Sequence, residues 1–345
     1  MIRRILISVA ILTGLCTAVH AQTDPLLSQY YDVRSFYNPA ATGTTDMMRF
    51  RLGSRMQWVG IDNAPRAFIG VAETPFKIGK RRLGAGLIVR QEKQGLYDDL
   101  NMGLQLSYHL KLFGGTLSVG LQPGVLNEKF RGSEVYIPAD DEYHDDTDEA
   151  IPRIDISGSA FDLGAGLYYR RQSFWASASV THLNSPTVTF STDSPASSRA
   201  GEDDSDDSGG DTPADGATTG GEYEFQARRT LYLMTGGNIQ IPSTLLEVIP
   251  TAMMATDFRF TRVTATARLR WKKMISLGVG YRHDDALSIS LSGEFHGFYL
   301  GYAYDYPTGK ISRASSGSHE IFAGYALKLD LGDRNRHKQK SIRFM

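Results

Sequence analysis

The chain has 345 residues, with 37 Lys and Arg against 38 Asp and Glu, so its formal net charge is -1. This balance gives no case for a nucleic-acid partner, because such partners are bound by basic surfaces. A single cysteine excludes a disulfide framework. Beyond the first twenty residues, no apolar run approaches the ~20 residues of a membrane-spanning helix. A bundle of such helices is therefore excluded.

The first 21 residues have the pattern of a secretory signal peptide. Two arginines precede an apolar run over 5–15, and Ala21 provides a small residue for cleavage. We expect cleavage after Ala21, which leaves Gln22 first. The apolar run is too short for a membrane anchor, and the bulky residue before Cys16 disfavours a lipoprotein signal.

After residue 46, apolar and polar residues alternate with the period of a strand. In 49–58, most even positions are apolar, whereas the odd positions are polar or glycine. Residues 99–110 and 263–271 repeat the pattern. Such alternation indicates strands with one apolar and one polar face.

Fourteen strands are predicted, and most have about ten residues or more, the length that crosses a bilayer at a tilt. In lipid, strands pair all their backbone groups only in a closed barrel, and an even strand number is typical of outer-membrane barrels. The sequence therefore predicts an all-β fold, a transmembrane antiparallel up-and-down β-barrel within residues 47–331. The predicted strands are 48–59, 64–74, 82–92, 98–111, 115–127, 159–170, 172–183, 228–240, 245–257, 259–271, 275–283, 286–294, 297–305 and 318–330.

The lengths of the connections give this barrel a direction. Outer-membrane barrels keep periplasmic turns short and exterior loops long. The long connections, about 128–158 and 184–227, follow odd-numbered strands, so we expect both to be extracellular. By the same parity, 22–46 is a periplasmic segment or a plug of the barrel, and 332–345 is a basic periplasmic tail.

A secreted β-sandwich is the soluble alternative, since its strands also alternate. Aromatic residues near the predicted strand ends favour the membrane barrel, because they resemble the girdles at the two membrane interfaces. These residues are Tyr168, Tyr169, Phe174, Trp175, Phe298, Tyr299, Tyr302, Tyr304 and Tyr306.

The acidic residues concentrate in the two long loops. Residues 140–149 carry seven acids and 202–222 carry eight, with no Lys or Arg in either stretch. The near-zero net charge thus combines acidic loops with a basic barrel and tail. The second stretch has a composition typical of disorder. Its clustered carboxylates suit calcium and define a candidate partner-binding loop, although a solvated loop is the plainer interpretation. These carboxylates belong to Asp203, Asp204, Asp206, Asp207 and Asp211.

Arginines recur on the predicted lumen face. They could line an anion pore, or they could pair with acidic residues on neighbouring strands and brace a packed interior. We favour bracing, and the sequence leaves both open. The arginines are Arg49, Arg51, Arg55, Arg90, Arg170, Arg268 and Arg270, and the candidate acidic partners are Glu73, Glu92, Asp99 and Asp162.

A barrel hydrolase is a third possibility, which would require a catalytic or metal-binding pattern. Ser318 and His319 are adjacent, and adjacent strand residues point to opposite faces, so they do not form a nucleophile and base. The remaining histidines lack the spacing of metal ligands. We therefore predict no catalytic residue, no bound metal and no cofactor.

Several short motifs resemble the PorP/SprF family of outer-membrane proteins of the type IX secretion and gliding machinery. The resemblance covers nearly the whole mature chain and is most specific in the C-terminal third. The acidic insertion 193–222 and a C-terminus without cysteine depart from the family pattern. The motif residues are Asp24, Pro25, Ser28, Gln29, Tyr30, Asn38, Pro39, Ala40, Arg55, Gln57, Trp58, Gly280, Tyr281, Arg282, Tyr304, Asp305, Tyr306, Gly317, Ser318, His319 and Glu320.

The resemblance implies a non-enzymatic outer-membrane component of the type IX secretion system. It also implies that the barrel anchors or helps export a secreted adhesin or other cargo protein, and associates with periplasmic lipoprotein and ring components. A general porin or solute channel is the alternative function. Outer-membrane lipid is the expected surrounding of the barrel in either case.

Overall fold

Seventeen strands form in the computed structural model, which describes residues 24–135, 154–190 and 223–330. Their bounds are β1 (Met47–Met56), β2 (Arg66–Ile78), β3 (Arg81–Gln94), β4 (Tyr97–Leu112), β5 (Gly115–Arg131), β6 (Asp155–Arg171), β7 (Phe174–Thr181), β8 (Thr187–Phe190), β9 (Tyr223–Gln226), β10 (Thr230–Gly237), β11 (Ile239–Gln240), β12 (Leu246–Thr256), β13 (Thr261–Trp271), β14 (Ile275–Arg282), β15 (Ala286–Phe295), β16 (Phe298–Pro307) and β17 (Ser318–Lys328). One helical turn, α1 (Arg34–Tyr37), and three 3-10 turns, Pro39–Ala41, Gly132–Glu134 and Lys310–Arg313, complete the fold. Within the described ranges, no helix is long and apolar enough to cross a membrane.

Fourteen of these strands close into one antiparallel barrel. Each barrel strand pairs with the next one along the chain, β7 pairs with β10, β10 pairs with β12, and β17 pairs with β1 to close the wall. The prediction of a fourteen-stranded antiparallel barrel is confirmed, and the predicted strand ends lie within about four residues of the observed ones.

The barrel has two different rims. We call the rim that carries Met47 and its partner Lys328 the terminal rim, and the opposite one the loop rim. At the terminal rim, two pairs of strands are joined by two-residue turns whose residues both have positive φ, Phe113 with Gly114 and His296 with Gly297. Turns of this conformation match the twist of the strands that they connect. The two long connections both start and end at the loop rim.

The two faces of the wall differ as the alternation predicts. Leu52, Leu104 and Leu300 point outwards and are more than 60% exposed, whereas Gln105 and Arg55 point into the lumen and are buried. An apolar outer face suits contact with lipid chains.

The prediction of aromatic girdles on the outer face is only partly correct, because the alternation of a strand sends neighbouring aromatic residues to opposite faces. Tyr168, Trp175 and Tyr299 are buried in the lumen, whereas Tyr169, Phe174, Phe298, Tyr302, Tyr304 and Tyr306 lie on the outer face.

The connection predicted as loop 184–227 contains a small hairpin. Strands β8 and β9 pair with each other in a separate two-stranded sheet. Val188 and Phe190 of β8 are buried against Leu126 and Ile156, which point inwards from β5 and β6. The hairpin therefore folds against the inner wall at the loop rim.

The chain before β1 lies inside the barrel. We call residues 24–46 the lumen segment; it contains α1 and the 3-10 turn Pro39–Ala41. Its apolar side chains form one buried cluster with the inner wall. The fully buried members of the segment include Leu27, Tyr30 and Ala40.

Candidate functional site

The lumen segment runs through the barrel from the loop rim to the terminal rim. Near the loop rim, Asp24 accepts hydrogen bonds from Thr181 and Tyr232. Near the terminal rim, Arg82 donates to the carbonyl of Thr45 at 2.6 Å. The segment bonds to strands on several sides of the wall, so it bridges the lumen and does not merely line one side.

A buried ion cluster binds the start of the segment, and we call it the clasp (Ser28, Gln29, Arg55, Arg282, Asp285, Asp305 and Glu320). Its centre is the guanidinium of Arg55, which lies 2.8 Å from Asp305 and 3.1 Å from Glu320. All three side chains are at most 3% exposed. Charges this deeply buried are tolerated only when they are paired, so each of the three depends on the others.

The carboxylates of the clasp also bind the lumen segment directly. Glu320 accepts the backbone N–H groups of Ser28 and Gln29, each at 2.8 Å. The hydroxyl of Ser28 donates to Asp305 at 2.5 Å. Arg282 donates to the same hydroxyl at 3.1 Å and pairs with Asp285 at 2.8 Å. Hydrogen bonds to charged groups are about twice as strong as neutral ones, so the clasp fixes the segment to the wall.

A second cluster surrounds Asp24. Its carboxylate pairs with Arg90, and Arg90 also pairs with Asp99 at 2.6 Å. The imidazole of His182 lies 3.4 Å from Asp24 and 3.1 Å from Asp162. Groups from β3, β7 and β10 therefore bind Asp24, the first described residue of the segment, and Asp99 and Asp162 hold Arg90 and His182 in place.

A third cluster holds the middle of the segment. The carboxylate of Asp32 lies 3.6 Å from Arg51, and its carbonyl accepts from Arg49 at 2.7 Å. Arg49 also pairs with Glu73 at 3.2 Å. The two arginines therefore compensate the largely buried charge of Asp32.

Two arginine–aromatic contacts add to these ion pairs. The guanidinium of Arg268 lies 3.6 Å from the ring centre of Tyr31, and that of Arg51 lies 4.2 Å from the ring centre of Tyr299. Such contacts are worth about 2 kcal/mol or more when they are desolvated. They link β13 and β1 to the packed interior.

Asn38 holds the C-terminal half of the segment. Its side-chain amide donates to the carbonyls of Leu167 and Ala178, at 3.0 and 3.3 Å, and its oxygen accepts the N–H of Ala40 at 2.8 Å. Glycines make room for this contact. A Cβ atom on Gly166 would collide with the side-chain oxygen of Asn38.

The Gly166→Ala substitution should therefore destabilise the barrel by about 1–3 kcal/mol, the usual cost of overpacking. Gly164→Ala is the matched control on the same face of β6, because its new Cβ would meet nothing closer than 3.5 Å. Urea unfolding of the two purified variants in detergent micelles gives the comparison. Equal stabilities would contradict tight packing between Asn38 and β6.

The structure brings six of the motif residues together in the clasp, although they are far apart in the sequence. Asp24 and Asn38 lie at other points of the lumen segment, with Pro25, Tyr30, Pro39 and Ala40. The hydroxyl of Tyr30 donates to Thr251 at 3.1 Å. The six motif residues of the clasp are Ser28, Gln29, Arg55, Arg282, Asp305 and Glu320.

The other motif residues lie outside the clasp. Ser318 accepts the N–H of Trp58 at 3.1 Å at the loop rim, near Gln57 and Gly317. Gly280 faces the lumen between β13 and β15. Tyr281, Tyr304, Tyr306 and His319 are on the outer face, where His319 contacts the hydroxyl of Tyr302 at 2.7 Å.

Most of the predicted lumen arginines make ion pairs or ring contacts, which is the bracing arrangement. Sequence reasoning missed several of their partners. Asp24, Asp32 and Tyr31 belong to the lumen segment, whereas Glu320 and Glu247 lie directly opposite Arg55 and Arg270 on the neighbouring strands β17 and β12. Of the four predicted partners, Glu73 pairs with Arg49 and Asp99 pairs with Arg90, whereas Asp162 pairs with His182. Arg170 is exposed at the terminal rim.

The acidic residues Asp203, Asp204, Asp206, Asp207 and Asp211 lie outside the described residues, as do the predicted signal peptide 1–21 and the predicted basic tail 332–345. Among residues 24–135, 154–190 and 223–330, no group of His, Cys, Asp or Glu side chains is arranged to hold a metal ion.

The fold and the site define an outer-membrane β-barrel whose lumen holds its own N-terminal segment. The family model "Type IX secretion system membrane protein PorP/SprF" matches residues 19–325. The chain therefore belongs to the PorP/SprF family and is an outer-membrane component of the type IX secretion system.

Several solved structures are similar to this chain. They include the TodX monoaromatic hydrocarbon channel deltaS2 mutant (TM-score 0.44, 11% identity, 85% of this chain and 93% of that chain covered). A FadL homologue of Pseudomonas aeruginosa has a TM-score of 0.46 and 9% identity, covering 86% of this chain and 94% of that one. Outer membrane phospholipase A from Escherichia coli has a TM-score of 0.33 and 11% identity, covering 82% and 92%. No curated protein matches the sequence significantly.

Proposed function

We propose that this barrel is a non-enzymatic, closed docking component that anchors or helps export one secreted surface protein. The observation that carries the proposal is the occupied lumen. The lumen segment is bound by three charged clusters on different sides of the wall. A barrel held shut in this way offers partners its rims rather than a passage for solutes.

The two rims suit different partners. In the orientation that we propose, the loop rim faces the cell exterior and carries the acidic loops, including Asp203, Asp204, Asp206, Asp207 and Asp211. These loops would contact the secreted cargo. The terminal rim and the basic tail 332–345 would face the periplasmic lipoprotein and ring components, and acidic partners would suit the tail.

Native co-purification tests the proposal. A tagged barrel extracted from the outer membrane should retain one large secreted protein and periplasmic components of the type IX system, identified by mass spectrometry. Deleting the gene should remove that secreted protein from the cell surface. Unchanged display together with no recoverable partner would refute the docking function.

The contribution of the acidic loop to cargo binding can be tested separately. Changing its five aspartates to asparagine keeps the shape and polarity of the side chains but removes their charge. If the loop contributes to cargo binding, this variant should reach the outer membrane normally and recover less cargo. Recovery equal to that of the wild type would assign cargo binding to other parts of the loop rim.

A further inference from the structure

Three carboxylates form a row across neighbouring strands near the loop rim. Glu92 of β3 pairs in register with Asp99 of β4, and Asp99 pairs with Glu128 of β5. Directly opposed side chains on one face have Cβ atoms about 4.5–5.5 Å apart, and like charges in these positions repel each other. The row therefore has a destabilising arrangement unless a cation compensates for it.

The neighbouring cations neutralise the row only in part. Arg90 is shared between Asp99 and Asp24. Arg228 is 3.9 Å from Asp257, and His182 lies between Asp24 and Asp162. These are the basic groups that line the same cavity.

Glu128 is the least compensated member of the row. It is 1% exposed, and neither of its carboxylate oxygens has a hydrogen-bond partner. In residues 24–135, 154–190 and 223–330, no ion pair involves Glu92 or Glu128. A buried acidic group without a partner is costly, so Glu128 is a candidate ligand-binding group.

The row lines a cavity of about 320 Å³. The exposed residues Gln94 and Tyr97 are also part of its lining, so it opens at the loop rim. Apolar side chains from the barrel wall and from the β8–β9 hairpin, including Leu126 and Phe225, form another part of the lining. The cavity thus combines buried carboxylates with an apolar wall.

We propose that this cavity binds an alkylammonium group, as carried by a lysine side chain or a free diamine. An ammonium group has three donors and can bond to several carboxylates of the row at once. The methylene stem would pack on the apolar wall, as lysine stems do on apolar surfaces. A metal ion fits less well, because the described side chains include no arrangement that would hold one.

The site is a property of the barrel alone and does not depend on the proposed docking function. It can be tested on the purified full-length protein in detergent, by isothermal titration with Nα-acetyl-lysine amide. Nα-acetyl-norleucine amide is the matched ligand without the charge. We expect saturable binding of the first compound only, and equal heats from both would overturn the proposal.

The variant Glu128→Gln locates the site. It should weaken binding of the lysine compound by roughly tenfold or more. Glu134→Gln is the control at the same rim, because Glu134 is half-exposed and pairs with Arg131 outside the cavity. Without ligand, Glu128→Gln should unfold at the same urea concentration as the wild type or a higher one, since it relieves repulsion. Unchanged affinity in a folded Glu128→Gln variant would place the ligand elsewhere.

Two further titrations identify the source of the ligand. Cadaverine reproduces the alkylammonium chain without a peptide backbone, so tighter binding of cadaverine than of the lysine compound would indicate a free diamine. Tighter binding of the lysine compound would indicate a protein side chain. Calcium that displaces both at similar concentrations would show a metal site and overturn the proposal.

Discussion

Replacing Arg55 by methionine should destabilise the barrel by about 3–5 kcal/mol, because it leaves two buried carboxylates without their cation. Asp305 and Glu320 are 3% and 1% exposed in their side chains, and both face Arg55. The same change should loosen the lumen segment, since Glu320 accepts two of its backbone N–H groups. Urea unfolding in detergent micelles, followed by tryptophan fluorescence, measures the difference.

Arg66→Met is the matched control for this prediction. Arg66 is an exposed arginine at the start of β2, and it makes no ion pair within the part of the chain that the structure describes. It should change the unfolding free energy by no more than about 0.5 kcal/mol, as surface substitutions usually do. Equal losses in the two variants would show that the clasp is not a stabilising unit.

A double variant separates pairing from packing. If the loss in Arg55→Met comes from uncompensated charge, adding Asp305→Asn should recover part of it, because neutralising one carboxylate reduces the unpaired charge. Residues in one ion network typically couple by about 0.5–3 kcal/mol. Strictly additive effects of the two substitutions would contradict a charge network.

The sequence could predict the strands of the barrel wall but not the packing of the lumen segment inside it. Alternation assigns each residue of a strand to one face, so Arg49, Arg51 and Arg55 were placed in the lumen correctly. Closure of a barrel also pairs its first strand with its last, and this places Arg55 directly opposite Glu320. The closing register was therefore a usable signal for half of the clasp.

The other half of the clasp could not be derived from periodicity. The lumen segment has no alternation, because its residues contact strands on several sides and follow no single face. The carboxylates of Asp24 and Asp32 reach arginines on different strands only after the segment has entered the barrel. Only the family resemblance singled out Ser28 and Gln29, and it did not say what they contact.

The small hairpin was missed for a different reason. Its strands have four residues each and lie in a stretch whose composition is polar. The alternation of Thr187, Val188, Thr189 and Phe190 was visible, but a four-residue pattern is short evidence for a strand. Burial against the inner wall, which is a tertiary effect, decides its conformation.

Removing the lumen segment should convert a closed barrel into a conducting one. The full-length protein should give few or no conductance steps in planar bilayers, whereas a variant lacking residues 24–44 should conduct at least about tenfold more. Barrel diameter grows with strand number, and fourteen strands lie between the roughly eight whose lumen side chains fill and the 16–18 of open porins.

A less drastic variant guards against failure of the deletion to assemble. Gly120→Phe places a large side chain where the backbone of Pro39 and Ala40 lies, so it should displace the segment and open the lumen in part. Gly293→Phe is the control, because Gly293 is on the outer face and a Cβ there meets nothing nearer than 4.0 Å.

A wild-type barrel that conducts steadily would favour the solute-channel function. A folded deletion variant that stays silent would show that another part of the chain closes the lumen. If the wild type is silent and the deletion variant conducts, the lumen segment is what prevents passage through the barrel. Partners would then have to bind at the two rims.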